Sequence, residues 1–147
     1  MNMKGSDYII NFLKDQQVTD IFGYPGGCIN HLLDSAYKAD GIDAHLCYHE
    51  QGAAFAACGY AQKSNRLGVA YSTSGPGATN LMTGIASAYF DSIPTLFLTG
   101  QVDIPSQKGD FQIRQRAFQE TDVVACTAPI TKWAYHVSDI YIPIRTA

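Results

Sequence analysis

Apolar positions along this chain alternate between helical spacing and short continuous runs, and this alternation predicts an α/β fold. Apolar side chains three and four residues apart predict helices over residues 6–14, 29–38, 51–63 and 78–89. Short apolar runs predict strands over residues 20–23, 44–48, 67–73 and 94–99, with a later strand over 130–137. Strands that alternate with helices imply right-handed crossovers, so we expect a parallel sheet with helices on both faces.

Finer predictions concern the helix faces and the segment after the fourth predicted strand. Ser6 or Asp7 is placed to cap the first helix. The inward-facing residues of the first two helices are predicted to be Tyr8, Ile9, Phe12, Leu13, Leu32, Leu33, Ala36 and Tyr37. The polar stretch 102–116 is predicted to be a long loop, and loops of that length inside a domain are usually functional. A short helix is predicted to open within 118–122.

Composition and charge narrow the class of protein. The chain has 147 residues, enough for one domain with a sizeable core, and 46% of them are hydrophobic and 16% charged. The net charge is −3 and no basic stripe is present, which argues against a nucleic-acid partner. No apolar run reaches bilayer length, and the first residues predict an amphipathic helix rather than a signal peptide. We therefore expect a globular, cytoplasmic protein.

Cysteine and histidine spacing gives no sign of a metal site. The four cysteines show no C-x-x-C pattern, and three of them are expected to be buried thiols in a reducing compartment. Among the four histidines, only His45 and His49 are four residues apart, and they fall in and after a predicted strand rather than on one helix face. No metal ligands are therefore predicted in this chain.

One carboxylate stands at a junction where α/β proteins bind ligands. Glu50 follows the apolar run 44–48 and precedes a helix rich in alanine and glycine. The carboxyl ends of parallel strands line the ligand crevice of such folds, so a glutamate here is a candidate for proton chemistry. The ordinary alternative is a glutamate that favours the helix N-terminus through the macrodipole.

Two glycine-rich turns, 23–27 and 74–77, each follow a predicted strand. Neither has the G-x-G-x-x-G or G-x-x-x-x-G-K-[ST] spacing of phosphate-binding loops. Their glycines would let the backbone approach a flat ring or an oxyanion, although such turns also serve simply to start helices. We expect both turns to meet Glu50, Asn80 and Gln101 in one crevice.

Several segments follow one another at a spacing that resembles a known family. They are GYPGG (23–27), YHEQGAA (48–54), TSGPGATNL (73–81), DSIPTLFLTGQV (91–102), FQETDVV (118–124) and PITK (129–132). Together they resemble the N-terminal pyrimidine-binding domain of thiamine-diphosphate-dependent enzymes of the acetolactate synthase group. The chain is accordingly interpreted as a single domain of this type over 1–147, with the resemblance strongest over 4–137.

The resemblance implies a role for particular residues. Glu50 matches the glutamate that hydrogen-bonds N1′ of the cofactor's aminopyrimidine, and Gln119, preceded by Phe118, matches a glutamine that reaches the reacting centre. The turn beside the thiazolium and substrate corresponds to Tyr24, Pro25, Gly26 and Gly27. The wall of the pyrimidine pocket corresponds to Thr73, Pro76 and Asn80. Gln101 is a weaker candidate near the substrate, with capping of the strand end as its alternative.

The resemblance also implies an activity and partners. The family decarboxylates pyruvate or another 2-oxo acid and then performs carboligation, using thiamine diphosphate with Mg²⁺ and, in true acetolactate synthases, FAD. Its members pair this domain with a diphosphate-binding domain of another subunit, so a homodimer, a tetramer or a separate diphosphate-binding subunit is expected.

The sequence departs from the family in ways that leave alternatives open. The diphosphate- and magnesium-binding motif and the FAD-type middle domain are absent, and 138–147, with its apolar run 140–144, is interpreted as truncated or divergent. The chain could thus be a non-catalytic fragment or a split subunit. Residues 112–117 also differ from biosynthetic acetolactate synthases and resemble enzymes of surface-polysaccharide pathways, so a related decarboxylase or lyase is a further alternative.

Overall fold

A sheet of four parallel strands forms the centre of the computed structural model, which describes residues 3–138. The strands, β1 to β4, are Asp20–Gly23, Asp43–Leu46, Gly68–Ser72 and Thr95–Thr99. Their spatial order is β2-β1-β3-β4, with Ile21 of β1 in register with Ala44 on one side and Val69 on the other. The predicted α/β class and parallel sheet are confirmed.

Helices cover both faces of the sheet. The helices, α1 to α6, are Gly5–Asp15, Asn30–Lys38, Glu50–Ser64, Pro76–Asn80, Met82–Phe90 and Val123–Thr127. Single turns of 3-10 helix occur at Gly27–Ile29, Ile104–Ser106 and Ala128–Ile130. The long loop predicted over 102–116 is otherwise without helix or strand.

Alternation along the central strands produces two separate cores. Ile21 and Val69 point to the face covered by α1 and α2, where Ile10 and Leu13 are fully buried. Ala70 points to the opposite face, which is covered by α3 and α5. Burial of a side chain such as Leu13 contributes about 1.5–3 kcal/mol, so both faces stabilise the sheet.

The α3 and α5 helices approach closely because small residues line their contact. A Cβ added at Gly84 would lie 2.2 Å from the Cβ of Ala54, which is fully buried. The outer surface of the same helices carries exposed aromatic side chains, since Phe55, Tyr89 and Phe90 are all exposed. Part of the small-residue stripe therefore packs within the chain, while an apolar surface stays outside.

Two predictions about the first helices are wrong. No side chain caps α1, and Ser6 and Asp7 lie inside it, where their side-chain oxygens lie 2.8 and 2.6 Å from Oγ of Ser35. Tyr37 is 91% exposed, whereas Ser35 is buried. The reason is the orientation of α2, which turns the polar Ser35 toward α1 and places Tyr37 on the outside.

The helix predicted over 78–89 is divided into α4 and α5. It begins earlier than predicted because Pro76 is suited to the first helical turn. At Leu81 the backbone N–H donates to the carbonyl of Ala78, three residues back, which is a 3-10 contact.

The strand predicted over 130–137 is wrong. Residues 131–138 contain no strand, and Trp133 and Tyr135 instead stack with their ring centroids 5.3 Å apart. The alternation reflects this aromatic pair, not a pleated surface. The predicted short helix does form, but it begins at Val123, with Asp122 as its N-cap. The segment 140–144 lies outside the described residues.

The strand β2 is exposed, and the exposure of the cysteines differs from expectation. All four residues of β2 are exposed, because this strand lies at the edge of the sheet. Among the cysteines only Cys58 is buried, and its burial raises the pKa of the thiol. Cys28 and Cys126 are exposed, so the expectation of three buried thiols is wrong.

Candidate active site

The carboxyl ends of β1, β2 and β3 lie side by side, and each leads into a segment with polar or glycine residues. Gly23, Leu46 and Ser72 are the last residues of these strands. Because the strands are parallel neighbours, the turn after Gly23, the junction before Glu50 and the turn after Ser72 share one edge of the sheet. The edge therefore gathers the two glycine turns and Glu50, which are part of the crevice that the sequence predicts.

Glu50 is the first residue of α3 and is only 8% exposed. His49 is the N-cap, and its Nδ1 accepts a hydrogen bond of 3.1 Å from the backbone N–H of Gln51. Since His49 provides the capping atom, the carboxylate of Glu50 does not have to perform that task. It instead accepts a hydrogen bond of 2.9 Å at Oε2 from Nδ2 of Asn80.

Glycines in both turns allow the backbone to pack around Thr73. A Cβ added at Gly26 would lie 2.5 Å from Cβ of Thr73, and one at Gly77 would lie 2.9 Å from its Cγ2. Oγ1 of Thr73 accepts a hydrogen bond of 3.3 Å from the backbone N–H of Cys28. The first turn and the turn after β3 therefore contact each other through one threonine.

Gly77 also borders the carboxylate. Its added Cβ would come within 3.2 Å of Oε1 of Glu50. Any side chain at this position would press on Thr73 and on the space beside that oxygen. The glycine thus keeps Oε1 of Glu50 free of contact with a side chain at position 77.

Gln119 lies against the turn after β3. A Cβ added at Gly75 would lie 2.6 Å from Cβ of Gln119, and Gly75 has a left-handed φ of +61° that favours glycine. Gln119 itself has a φ of +59°, an uncommon conformation for a residue with a side chain. Phe118 beside it is 78% exposed. The structure therefore brings Gln119 to the glycine turn, with Phe118 outside.

Glu120 organises the long loop, a role that sequence reasoning missed. Its two carboxylate oxygens accept hydrogen bonds from the backbone N–H groups of Lys108, at 2.7 Å, and Arg116, at 2.9 Å. These bonds, with that of Arg116 the larger cause, hold the pKa of the Glu120 carboxyl below its usual value. The pattern F-Q-E offers no hint of this, because the partners are backbone N–H groups, four and twelve residues earlier in the chain, whose hydrogen bonds do not depend on side-chain type.

The side chain of Gln101 is used within the chain. Its Nε2 donates to the carbonyl of Thr121 at 2.7 Å, and its Oε1 accepts from the backbone N–H of Val102 at 3.0 Å. Both ends of the amide thus join the end of β4 to the segment before α6. This arrangement favours the capping alternative over a role near the substrate.

A large groove lies away from Glu50. It has a volume of about 1330 Å³ and runs along β4, between α1 and α2 on one side and the segment after Gln101 on the other. Neither Glu50 nor Asn80 lines it. Glu50 and Asn80 at the strand ends therefore lie outside this groove.

Metal-binding and membrane-spanning features are absent from the described part of the chain. Within residues 3–138, no three His, Cys, Asp or Glu side chains are grouped as metal ligands. None of the helices in that range is long and apolar enough to span a bilayer.

Comparison with known proteins gives consistent matches. Residues 3–126 match the family described as thiamine pyrophosphate enzyme, N-terminal TPP binding domain. The chain is 49% identical over 135 residues to the acetolactate synthase large subunit of Lactococcus lactis, covering 92% of this chain and 22% of that protein. It is 45% identical over 138 residues to the acetolactate synthase isozyme 2 large subunit of Escherichia coli, covering 94% and 24%. The probable acetolactate synthase large subunit of Methanocaldococcus jannaschii is 47% identical over 135 residues, covering 92% and 22%. The chain thus spans less than a quarter of the length of these relatives.

Proposed function

The chain belongs to the family of N-terminal TPP-binding domains of thiamine pyrophosphate enzymes, and from this premise we propose that it supplies the aminopyrimidine half of a thiamine diphosphate site. The whole enzyme would be acetolactate synthase-like, acting on pyruvate or another 2-oxo acid. The identity of about 45–49% to three acetolactate synthase large subunits supports this choice within the family.

One observation carries the proposal: a buried glutamate is oriented by an amide beside a glycine. Glu50 offers a carboxylate in surroundings with little solvent, and Gly77 places no side chain beside Oε1. A ring nitrogen that exchanges a proton with a carboxylate fits this donor set. The residues present therefore fit the aminopyrimidine part of the cofactor.

In this proposal Glu50 performs the acid–base step. Oε1 holds the proton that is shared with the ring nitrogen, while Asn80 occupies Oε2. A positioned general acid of this kind contributes about 10²–10⁴-fold to a rate. When bound, thiamine diphosphate supplies the electron sink for cleavage of the bond next to the 2-oxo group.

Other residues of the chain would shape the site. Thr73 and Gly26 form the contact between the two turns, and Tyr24 and Pro25 stand on the exposed side of the first turn. The amide of Gln119, at the turn after β3, would serve as a donor or acceptor toward the reacting groups.

The diphosphate- and magnesium-binding motif of the family is absent from this sequence, and within residues 3–138 no three His, Cys, Asp or Glu side chains are grouped. We therefore place the diphosphate and its Mg²⁺ on a separate domain or subunit, which completes the site at a homodimer or tetramer interface. FAD, if used, would likewise bind elsewhere.

Two alternatives to this proposal differ in what the chain would contribute to an enzyme. As a non-catalytic fragment it would contribute nothing to turnover, and as a split subunit it would need a separate diphosphate-binding domain. As part of a related decarboxylase or lyase of a surface-polysaccharide pathway it would act on another 2-oxo acid, an alternative that rests on the differences over 112–117.

A chimeric enzyme distinguishes the proposed function from these alternatives. Residues 3–138 would replace the matching segment of the Lactococcus lactis relative, and acetolactate formation from pyruvate would be measured with thiamine diphosphate and Mg²⁺. We expect activity, and its loss in Glu50→Gln. A folded chimera that accepts only other 2-oxo acids would favour the related decarboxylase or lyase. One that is inactive with every 2-oxo acid would contradict the proposal.

A further inference from the structure

The two oxygens of the Glu50 carboxylate have different surroundings. Oε2 accepts the 2.9 Å hydrogen bond from Nδ2 of Asn80. Oε1 lies on the side of Gly77, and within residues 3–138 no hydrogen bond reaches it. The carboxylate is therefore asymmetric before any ligand arrives.

This asymmetry determines where a proton can sit. The side-chain nitrogen of asparagine only donates hydrogen bonds, so the oxygen facing it must act as an acceptor. A proton on the same oxygen would compete with the amide hydrogen. Protonation of Glu50 is thus directed to Oε1, in the space that Gly77 leaves open.

We propose that Asn80 is a positioning residue: its amide fixes the rotation of the Glu50 carboxylate and reserves Oε1 for the nitrogen of an aminopyrimidine ring. The ligand part of this inference rests on the proposed function. Asn80 acts through Glu50, and Gly77 provides the opening on the other side.

Asparagine suits this role better than similar residues. Alanine would leave Oε2 without its donor, and the carboxylate could then rotate. Aspartate has nearly the same shape but would place a second carboxylate at hydrogen-bond distance, where two like charges cannot both be stable.

Thr79 offers a matched control on the same helix. It is exposed, and its Oγ1 donates to the carbonyl of Pro76 at 3.1 Å rather than to Glu50. Thr79→Ala therefore removes a neighbouring side-chain hydrogen bond of α4 and leaves the carboxylate alone.

The first experiment needs no ligand. The chain contains only two glutamates, Glu50 and Glu120, so labelling with [δ-¹³C]glutamate gives two carboxyl resonances, which Glu50→Gln and Glu120→Gln assign. We expect Asn80→Ala to shift the Glu50 resonance at neutral pH and to leave that of Glu120 in place. Asn80→Asp should make the Glu50 resonance titrate in two steps, as two carboxyls that share one proton do. Thr79→Ala should change neither resonance.

Two results would overturn the positioning role. One is an Asn80→Ala protein with a native amide spectrum and an unmoved Glu50 resonance. The other is an equal shift of that resonance in Thr79→Ala, which would show a general effect of α4.

The second experiment adds thiamine, which carries the aminopyrimidine without the diphosphate, to the same samples. We expect it to perturb Glu50 in the parent chain and to bind about three- to tenfold more weakly to Asn80→Ala, as the loss of one oriented hydrogen bond implies. If thiamine does not perturb Glu50 in the parent, the proposed function and the ligand part of the inference fail together. The ligand-free shifts then still decide whether Asn80 orients the carboxylate. Equal thiamine affinity for the parent and Asn80→Ala would overturn the inference alone.

Discussion

Replacing Gly84 by alanine tests the packing that holds α3 and α5 together. The new Cβ would lie 2.2 Å from the Cβ of Ala54, well inside contact distance, and Ala54 is fully buried on a helix that packs on the sheet. Neither atom is the end of a flexible side chain, so the helices must separate. Overpacking of this kind costs about 1–3 kcal/mol, from which up to about 1 kcal/mol of better helix propensity is subtracted.

Gly59→Ala is the matched control. Gly59 also lies inside a helix, but an added Cβ meets nothing within 4 Å. The same chemical change should therefore stabilise the chain, by about 0.5–1 kcal/mol.

Urea unfolding followed by circular dichroism, at equal protein concentrations, measures both changes. We expect the midpoint to fall for Gly84→Ala and to rise for Gly59→Ala, with similar slopes. The free-energy difference between the two variants should be about 1–3 kcal/mol, which corresponds to several degrees in Tm. Equal stabilisation by both substitutions would refute the close approach of α3 and α5.

Three further predictions concern the loop, the cofactor and association. Glu120 accepts hydrogen bonds from the backbone N–H groups of Lys108 and Arg116, an arrangement that we call the Glu120 clamp, and these bonds lower the pKa of its carboxyl. The clamp is therefore fully present above the ordinary glutamate pKa of about 4.3 and is lost as pH falls through the lower pKa of the folded state. Exchange of those two amides with solvent should accelerate over that acid range and, in Glu120→Ala, already at neutral pH; slow exchange in that variant would contradict the clamp. The purified 147-residue chain should form no acetolactate and should bind thiamine diphosphate weakly at best, because the anchoring diphosphate lacks ligands here; tight, magnesium-dependent binding by calorimetry would be contrary. The exposed aromatic surface of α3 and α5 should drive association, and light scattering that finds a monomer at micromolar and higher concentrations would speak against it.

Periodicity predicts the framework of this fold well, because apolar residues of the helices and of the central strands are buried together in one of two cores. The runs at 20–23 and 94–99 become β1 and β4 within a residue, and the parallel order follows from the alternation with helices. Tyr37 and the predicted strand over 130–137 show the limit of the method. An apolar residue or an alternating pattern shows only that a segment could be buried. Whether it is buried depends on packing partners elsewhere in the chain.

In the candidate site, too, the sequence indicates individual residues but not the contacts between them. The sequence makes Glu50 a candidate because the residue stands at a strand-to-helix junction, and the family resemblance adds a role that position alone leaves open. Its hydrogen bond with Asn80, 30 residues later, depends on how α4 lies against α3, which no spacing reveals. Likewise, the clamp formed by Glu120 joins a side chain to backbone groups, and backbone partners leave no mark in the sequence.

The central claim is that Glu50 exchanges a proton with the aminopyrimidine of thiamine diphosphate. The most direct test is the exchange rate of the cofactor's C2 hydrogen, followed by NMR, in the chimera with the Lactococcus lactis relative and in its Glu50→Gln variant. The account predicts that the substitution slows exchange by about 10²–10⁴-fold while the cofactor stays bound. Exchange at the parental rate in a cofactor-loaded Glu50→Gln enzyme would contradict it.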